Sequence, residues 1–534
     1  MANARRRLNW IVPAVIVTCS VLGGVVGPLV SDANAATNED EITQAVRTFT
    51  KVYSTVEQNF ADKVTSDKAI YKGAIGGMLR TLDPHSSFFD PRDFQQLRED
   101  QRGHYYGVGM TVSERNRRTV VIAPFPGSPA YKAGIRPGDT ILSVNDKSTQ
   151  NLTTTEVADI LKGPRGTPVQ VVVTRDGVDK PITFNIIRDE IPRKSVQDAF
   201  FVKPGILHID IESFNENTSK EVEENLKRVG EQNVKGLILD LRENPGGLLN
   251  EGVSVAGRFL QNGQSVVSHR GRASAERPYL ARNGSAKRTY PIVVLVNRYS
   301  ASAAEIVAGA LQDHDRAWIL GDNTFGKGLV QTVYPMSDST GLALTTAKYY
   351  TPSNRLIQRD YQNTSFLDYY YRKDTSTQNP NDVKMTDSGR TVYGGGGIKP
   401  DEAFVFPKAN KFQTEMIRRF AFFNFTAKFF GGKEAKLPQG WDPNDQIMND
   451  LKAFMTKESV PFTEGEWTEN LEWTKLRLKN EMYLTAFGSE EARKLAVESD
   501  PIVVKAVDSM QKAKELLESA KKLIVQRTAP RQEP

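Results

Sequence analysis

At 534 residues the chain is longer than one hydrophobic core organises, so about three or four domains are expected. Hydrophobic residues at 39% and charged residues at 25% exclude extended disorder and a multispanning membrane protein, and a net charge of +6 without a long Lys/Arg block gives no support to nucleic-acid binding. The single cysteine, Cys19, leaves no disulfide framework and no cysteine-based metal site, so hydrolytic chemistry must rest on oxygen or nitrogen groups.

Arg5, Arg6 and Arg7 precede an uncharged apolar run from Trp10 to Val30, and Ala33-Asn34-Ala35 supplies a small-x-small cleavage site. Residues 1–35 therefore read as an export signal, cut after Ala35 or, because the run is about 21 residues, retained as an amino-terminal anchor. The basic flank puts the body of the protein in the periplasm or on the outer side of the cytoplasmic membrane. Cys19 is then apolar filler, and the folded part is thiol-free.

Val46, Phe49, Val52, Val56 and Phe60 recur at helical spacing, followed by Ala74, Ile75, Met78 and Leu79, which predicts a helical domain over 36–100. Leu82-Asp83-Pro84-His85-Ser86-Ser87 reads as a breaker-rich loop. Over 101–190 short strands alternate with Gly/Pro/Asp turns around one helix, Thr154 to Leu161. Gly107-Val108-Gly109-Met110, Gly127-Ser128-Pro129-Ala130 and Gly134-Ile135-Arg136-Pro137-Gly138-Asp139 occur there in the order of a PDZ domain, which this segment resembles. In such a domain Gly107, Val108, Gly109 and Met110 hold a peptide carboxylate while the adjoining strand edge pairs with the peptide backbone.

Residues 191–405 read as mixed α/β, with strands at Ile206–Ile211, Gly236–Leu241 and Ile292–Val296 and a helix at 218–230. After the last of these strands comes Ser300-Ala301-Ser302-Ala303-Ala304-Glu305, opening a helix. A serine at that junction either caps the helix or presents a hydroxyl where free N–H groups and the helix dipole favour an oxyanion. None of His85, His104, His208, His269 and His314 carries a triad-like signature, and there is no Gly-x-Ser-x-Gly elbow. Lys327 can replace histidine as base if burial disfavours its charge, although taken by itself a lysine between two glycines reads first as a surface turn residue. Gly321 to Lys327 also spells a phosphate-binding loop, but Gly328 stands where Ser or Thr should bind magnesium and Leu329 to Tyr334 continues as a strand. Beyond 406 the chain is helix-forming, and its charge runs read as solvated helix faces.

The order of the PDZ-like segment, Asp240-Leu241-Arg242-Glu243-Asn244-Pro245-Gly246-Gly247, Ser300 to Glu305, Gly326-Lys327-Gly328-x-x-Gln331 and Gly394 to Asp401 resembles the carboxy-terminal processing (tail-specific) proteases. The resemblance covers about residues 40 to 405 and implies a multidomain α+β chain: N-terminal helical segment, PDZ-like β domain, protease core at 191–405 and helical C-terminal extension at 406–534. It also implies that Ser302 is the nucleophile, Lys327 its general base and Gln331 the residue that orients the lysine. Ala303 and Gly247, with Gly246 the second choice, would supply the oxyanion hole, and Glu305 would support the site unless it only complements the helix dipole. Ala304 departs from the family pattern, where a third serine is common.

The expected activity is an exported serine endopeptidase that cuts protein substrates near their C-terminal tails without metal or other cofactor. A homo-oligomer and an activating adaptor are the expected further partners, and Arg165 is a candidate for coupling the PDZ domain to the site. The rival readings are a non-catalytic PDZ scaffold or chaperone of the cell envelope, and an exported nucleotide-dependent enzyme using Gly321 to Lys327.

Overall fold

The computed structural model describes residues 40–65, 67–282, 284, 288–362, 364–371, 379–431 and 435–528. The export segment and Cys19 lie outside them. No helix among the described residues is long and apolar enough to cross a membrane.

Two compact units meet at Thr81 and Leu82, earlier than the domain end expected near 100. The first holds a helix over 40–59, a π-helix Asp67–Ile75 and a short helix Gly76–Arg80. Val46, Phe49, Val52, Val56 and Phe60 do share a helical spacing, but they stay 41–62% exposed, because among the described residues of this unit the short helices build no second layer over them. The helix Pro91–Arg102, capped by Asp90 and ended by Gly103 at φ 73°, belongs to the second unit.

In that second unit the β segment after residue 103 forms a six-stranded antiparallel sheet whose edge strand is Met110–Arg115. Val108, Met110, Val121, Val144, Val157, Leu161 and Val171 fill its core, placing the helix Thr154–Leu161 over the sheet beside that edge.

The protease segment is built on a second six-stranded sheet, in the order Val196–Lys203, Ile206–Ile211, Gly236–Asp240, Ile292–Val296, Trp318–Gly321, Glu402–Ala403. Only the first pair is antiparallel. The middle strands are buried on both faces, which explains their unbroken apolar runs. One face is covered by the helix Ala303–Asp313, every residue of which is buried. Ile502, Val503, Ala506 and Ala513, from the helices Pro501–Asp508 and Met510–Thr528, cover Ile238, Val293, Leu295 and Leu320 on the other. A smaller sheet pairs Leu329–Pro335 with Gly341–Tyr350, which in turn pairs with Ser87–Phe89 and Ser265–Gly271. The tail helices Lys411–Arg418 through Leu471–Phe487 form a core of their own around Phe412, Met416, Leu451, Met455 and Leu478. The helices Lys411–Arg418 and Ala421–Phe430 are separated at Phe420, whose φ is 51°.

Candidate active site

The strand Ile292–Val296 ends in a turn in which Ser300 is fully buried. Its Oγ accepts from Asn297 N at 2.9 Å and donates to Leu241 O at 2.7 Å. Ser300 thus pins the turn to the neighbouring strand and has no hydroxyl to spare. Ser302 precedes the helix Ala303–Asp313 with φ 55° and ψ −115°, a conformation non-glycine residues avoid at a cost of about 1–3 kcal/mol. The surroundings over-determine it: Ala301 N donates to Asn244 O at 2.9 Å, and Ser302 O accepts from Ile306 N at 3.0 Å and from the Tyr349 hydroxyl at 3.1 Å.

Glu305 is fully buried. One carboxylate oxygen accepts from Ser302 N at 2.8 Å and Lys327 N at 2.8 Å, the other from Thr324 Oγ1 at 2.6 Å and Gly326 N at 2.7 Å. Burial pushes its carboxyl up, against the pull of these four donors. The same bonds dispose of the phosphate-loop reading, since the Gly326 and Lys327 N–H groups that would cradle a phosphate are committed to Glu305 and the following residues Leu329–Pro335 form a strand. Thr324 is held in turn by Ile398, whose N–H donates to its Oγ1 at 2.6 Å, which gives the Gly394 to Asp401 motif a supporting place.

Lys327 Nζ donates to Gln331 Oε1 at 2.9 Å. Burial lowers the lysine's pKa from the ordinary 10.5, opposed by the nearby charges of Glu305 and Asp83. Sequence reasoning missed the surroundings of this amine. Gln331 Nε2 donates to the carbonyl of His85, so the loop at 82–87 adjoins the site. His85 has its imidazole pushed down to about 4 by burial and by Lys327, and its Nε2 lies 2.8 Å from the Tyr369 hydroxyl. Phe325 and Tyr369 stand edge-on to each other with centroids 5.6 Å apart, and the Arg359 guanidinium lies over both rings. Tyr349, buried with its own pKa raised well above 10 by burial, also donates to Lys327 O. A tyrosine in an alternating strand carries no sequence signal of such a role.

The turn Asn244 to Gly247 packs against Ser302. Asn244 Nδ2 donates to Ile211 O at 2.6 Å and its Oδ1 accepts from Gly246 N at 2.8 Å. A Cβ on Gly246, φ 95°, would lie 2.6 Å from Ser302 Cβ and 2.9 Å from Ala303 N, so only glycine lets the turn approach this closely. The bridge to Phe214 uses Gly246 O and Leu248 N and passes over Gly247 N. At the strand end before the turn, Arg242 reaches Asp240 Oδ2 at 2.6 Å and Asp500 Oδ2, on the cap of the helix Pro501–Asp508, at 2.8 Å.

In the β domain, Val108 O accepts from Ala130 N at 2.8 Å, and Gly109 O accepts from Phe125 N at 3.0 Å and Ser128 Oγ at 2.7 Å. The carbonyls of Val108 and Gly109 are therefore fixed just before the edge strand Met110–Arg115, against which the helix Thr154–Leu161 packs. Arg165 pairs with Asp189 at 2.8 Å, both largely exposed, within the same domain. No group of three or more potential metal ligands occurs among the described residues.

Residues 205–363 match peptidase family S41 and residues 120–175 match a PDZ domain. The carboxy-terminal-processing protease of Bartonella bacilliformis is 37% identical over 66% of this chain and 80% of that protein. The carboxyl-terminal-processing protease of Synechocystis is 38% identical over 54% of this chain and 68% of its own length. Among solved structures, the photosystem II D1 C-terminal processing protease aligns with 67% of this chain and 92% of its own, at 27% identity and a TM-score of 0.35. The chain belongs to peptidase family S41: it is a serine-type peptidase with a PDZ domain, related to proteases named for carboxy-terminal processing.

Proposed function

We propose that this chain hydrolyses peptide bonds near the C-terminal tails of proteins with Ser302 as nucleophile and Lys327 as general base. The observation that carries the reading is the double engagement of Glu305 Oε2, which brings the main chains of the two residues within two hydrogen-bond lengths of each other. Neutral Lys327, its charge disfavoured by burial, removes the Ser302 proton as the oxygen attacks the carbonyl. Gln331 orients the amine through Oε1. Ala303 N, in the first turn of its helix, and Gly247 N receive the oxyanion; Gly246 N is already spent on Asn244. Lysine returns the proton to the leaving amine, and water releases the acyl group.

The PDZ groove takes the substrate's C-terminal residues as an added strand, its carboxylate at Gly107 to Met110. The pattern of Arg5 to Arg7, apolar run and Ala33-Asn34-Ala35 supports export, so that substrates are met outside the cytoplasm. The experiment is incubation of purified wild type, Ser302→Ala and Lys327→Ala with an unstructured protein bearing an apolar carboxyl tail. Cleavage by wild type alone is expected, and equal cleavage by either variant removes that residue from its role. A non-catalytic scaffold would show no cleavage by any of the three.

A further inference from the structure

The Asp83 to Ser87 loop lies far from Lys327 in sequence, where its residues spell only a turn. Its internal bonding is dense. Asp83 Oδ1 accepts from His85 N at 2.7 Å and Ser86 N at 2.8 Å, and Asp83 Oδ2 accepts from Ser86 Oγ at 2.7 Å. Ser86 Oγ in turn accepts from Thr345 N at 3.1 Å, and Ser87–Phe89 pairs antiparallel with Gly341–Ala343, so the loop is fastened to the strand that also pairs with Leu329–Pro335. Against its partial burial, the bonds from Ser86 and His85 hold the Asp83 carboxyl below its ordinary value.

What this framework presents to the site is the His85 carbonyl, which takes Gln331 Nε2. The side-chain amide of Gln331 has two ends, and a lysine amine that donates can use only the oxygen end. A fixed carbonyl on the nitrogen end therefore decides which way the amide is turned. Without it the amide is free to rotate by half a turn and offer Lys327 a second donor.

We infer that Asp83 is a positioning residue of the protease: by folding the 83–87 loop it fixes the His85 carbonyl, which sets the Gln331 amide and through it the direction of the Lys327 amine. Asp83 makes these bonds to His85 and Ser86 rather than to Ser302 or Lys327. Its charge also acts on Lys327 across the loop, raising the lysine's pKa while burial lowers it. The other charged or titratable groups facing this region are Glu305 from the helix Ala303–Asp313, the His85 imidazole from the loop itself, Tyr349 from the Gly341–Tyr350 strand, and Arg359, Tyr361, Tyr369 and Tyr370 from the segment that follows it.

The inference rests on Lys327 being the base, and the test separates the two. Full-length Asp83→Asn, Lys327→Ala and wild type are compared by kcat and KM on a quenched-fluorescent peptide with an apolar C-terminus, across pH. Asp83→Asn is expected to lower kcat about ten-fold with KM within about two-fold, since only alignment is lost. Its kcat/KM profile should also begin to rise at lower pH than wild type, because removing a negative charge lets Lys327 lose its proton more easily. Ser86→Ala, which removes one bond to Asp83, should follow in the same direction with a smaller fall and serves if Asp83→Asn does not fold. A KM rise at unchanged kcat, or a profile and rate like wild type in both variants, overturns the role of Asp83. Undiminished activity of Lys327→Ala overturns the base reading itself.

Discussion

Glu305 and Lys327 are joined through the main chain, the carboxylate of one accepting the N–H of the other at 2.8 Å while the same oxygen accepts Ser302 N. A carboxylate in this place holds two loops together and keeps a negative charge beside the amine. Glu305→Gln keeps the volume but turns a donor toward N–H and O–H groups that also donate. About a 100-fold loss of kcat is expected from the displaced Ser302 and Lys327, with about 1–3 kcal/mol of stability lost for groups left unpaired. Steady-state kinetics and denaturant unfolding of the same preparation check both.

As the proposed base Lys327 must be neutral to accept a proton, so kcat/KM should rise with pH and reach its midpoint below the ordinary lysine value of 10.5. Lys327→Arg retains a charge that does not titrate in this range and is expected to lose about a thousand-fold in rate at every pH, with the ascending limb abolished. A pH–rate profile for the two proteins decides it.

Gly246 combines a φ of 95° with a Cβ position 2.6 Å from Ser302 Cβ. Gly246→Ala should move the turn away from Ser302 and lose most activity, while the PDZ domain, built on another sheet, keeps its peptide binding. Binding of a labelled C-terminal peptide, measured beside cleavage, separates these outcomes.

The Tyr349 hydroxyl stands between the carbonyls of Ser302 and Lys327. Tyr349→Phe leaves the ring packed and removes only that bracket. The expected result is about 1 kcal/mol less stability and about a ten-fold lower kcat at unchanged KM, read by thermal unfolding and kinetics.

Asp210 lies in register with Asp240 on one neighbouring strand and Asp198 on the other. Burial, and then the charge of Asp240, push its carboxyl from 3.8 up to about 7. The folded chain thus keeps this proton to higher pH than the unfolded chain, and the group's contribution to stability falls as pH rises between those two values. Asp210→Asn should flatten that fall, so its melting temperature should exceed wild type at pH 8 and match it near pH 4.

The strands and the helix Ala303–Asp313 were legible because buried parallel strands are continuous apolar runs and the helix begins where small residues follow one. Ser302, Lys327 and Gln331 form a spaced pattern in the sequence, and the bonds from Ser300 to Asn297 and Leu241 favour Ser302 over Ser300 as the proposed nucleophile. The loop around His85 was visible only as turn chemistry, because its contact with Gln331 spans a separation of 246 residues, and no local pattern carries that. The spacing of Val46 to Phe60 predicts the helix over 40–59, yet spacing shows only that residues share a face, not what covers it.

The two-sided burial of the central sheet reaches beyond the protease segment itself. Since Ile502, Val503, Ala506 and Ala513 complete one face, and Arg242 ties the strand end before the Asn244 to Gly247 turn to Asp500, the last helices are the outer wall of the catalytic core rather than an appendage. Truncation at the end of the recognised family segment would strip that wall, leaving Ile238, Val293, Leu295 and Leu320 facing water on a sheet prone to self-association. Expression of a minimal protease must therefore carry the chain through the helix Met510–Thr528.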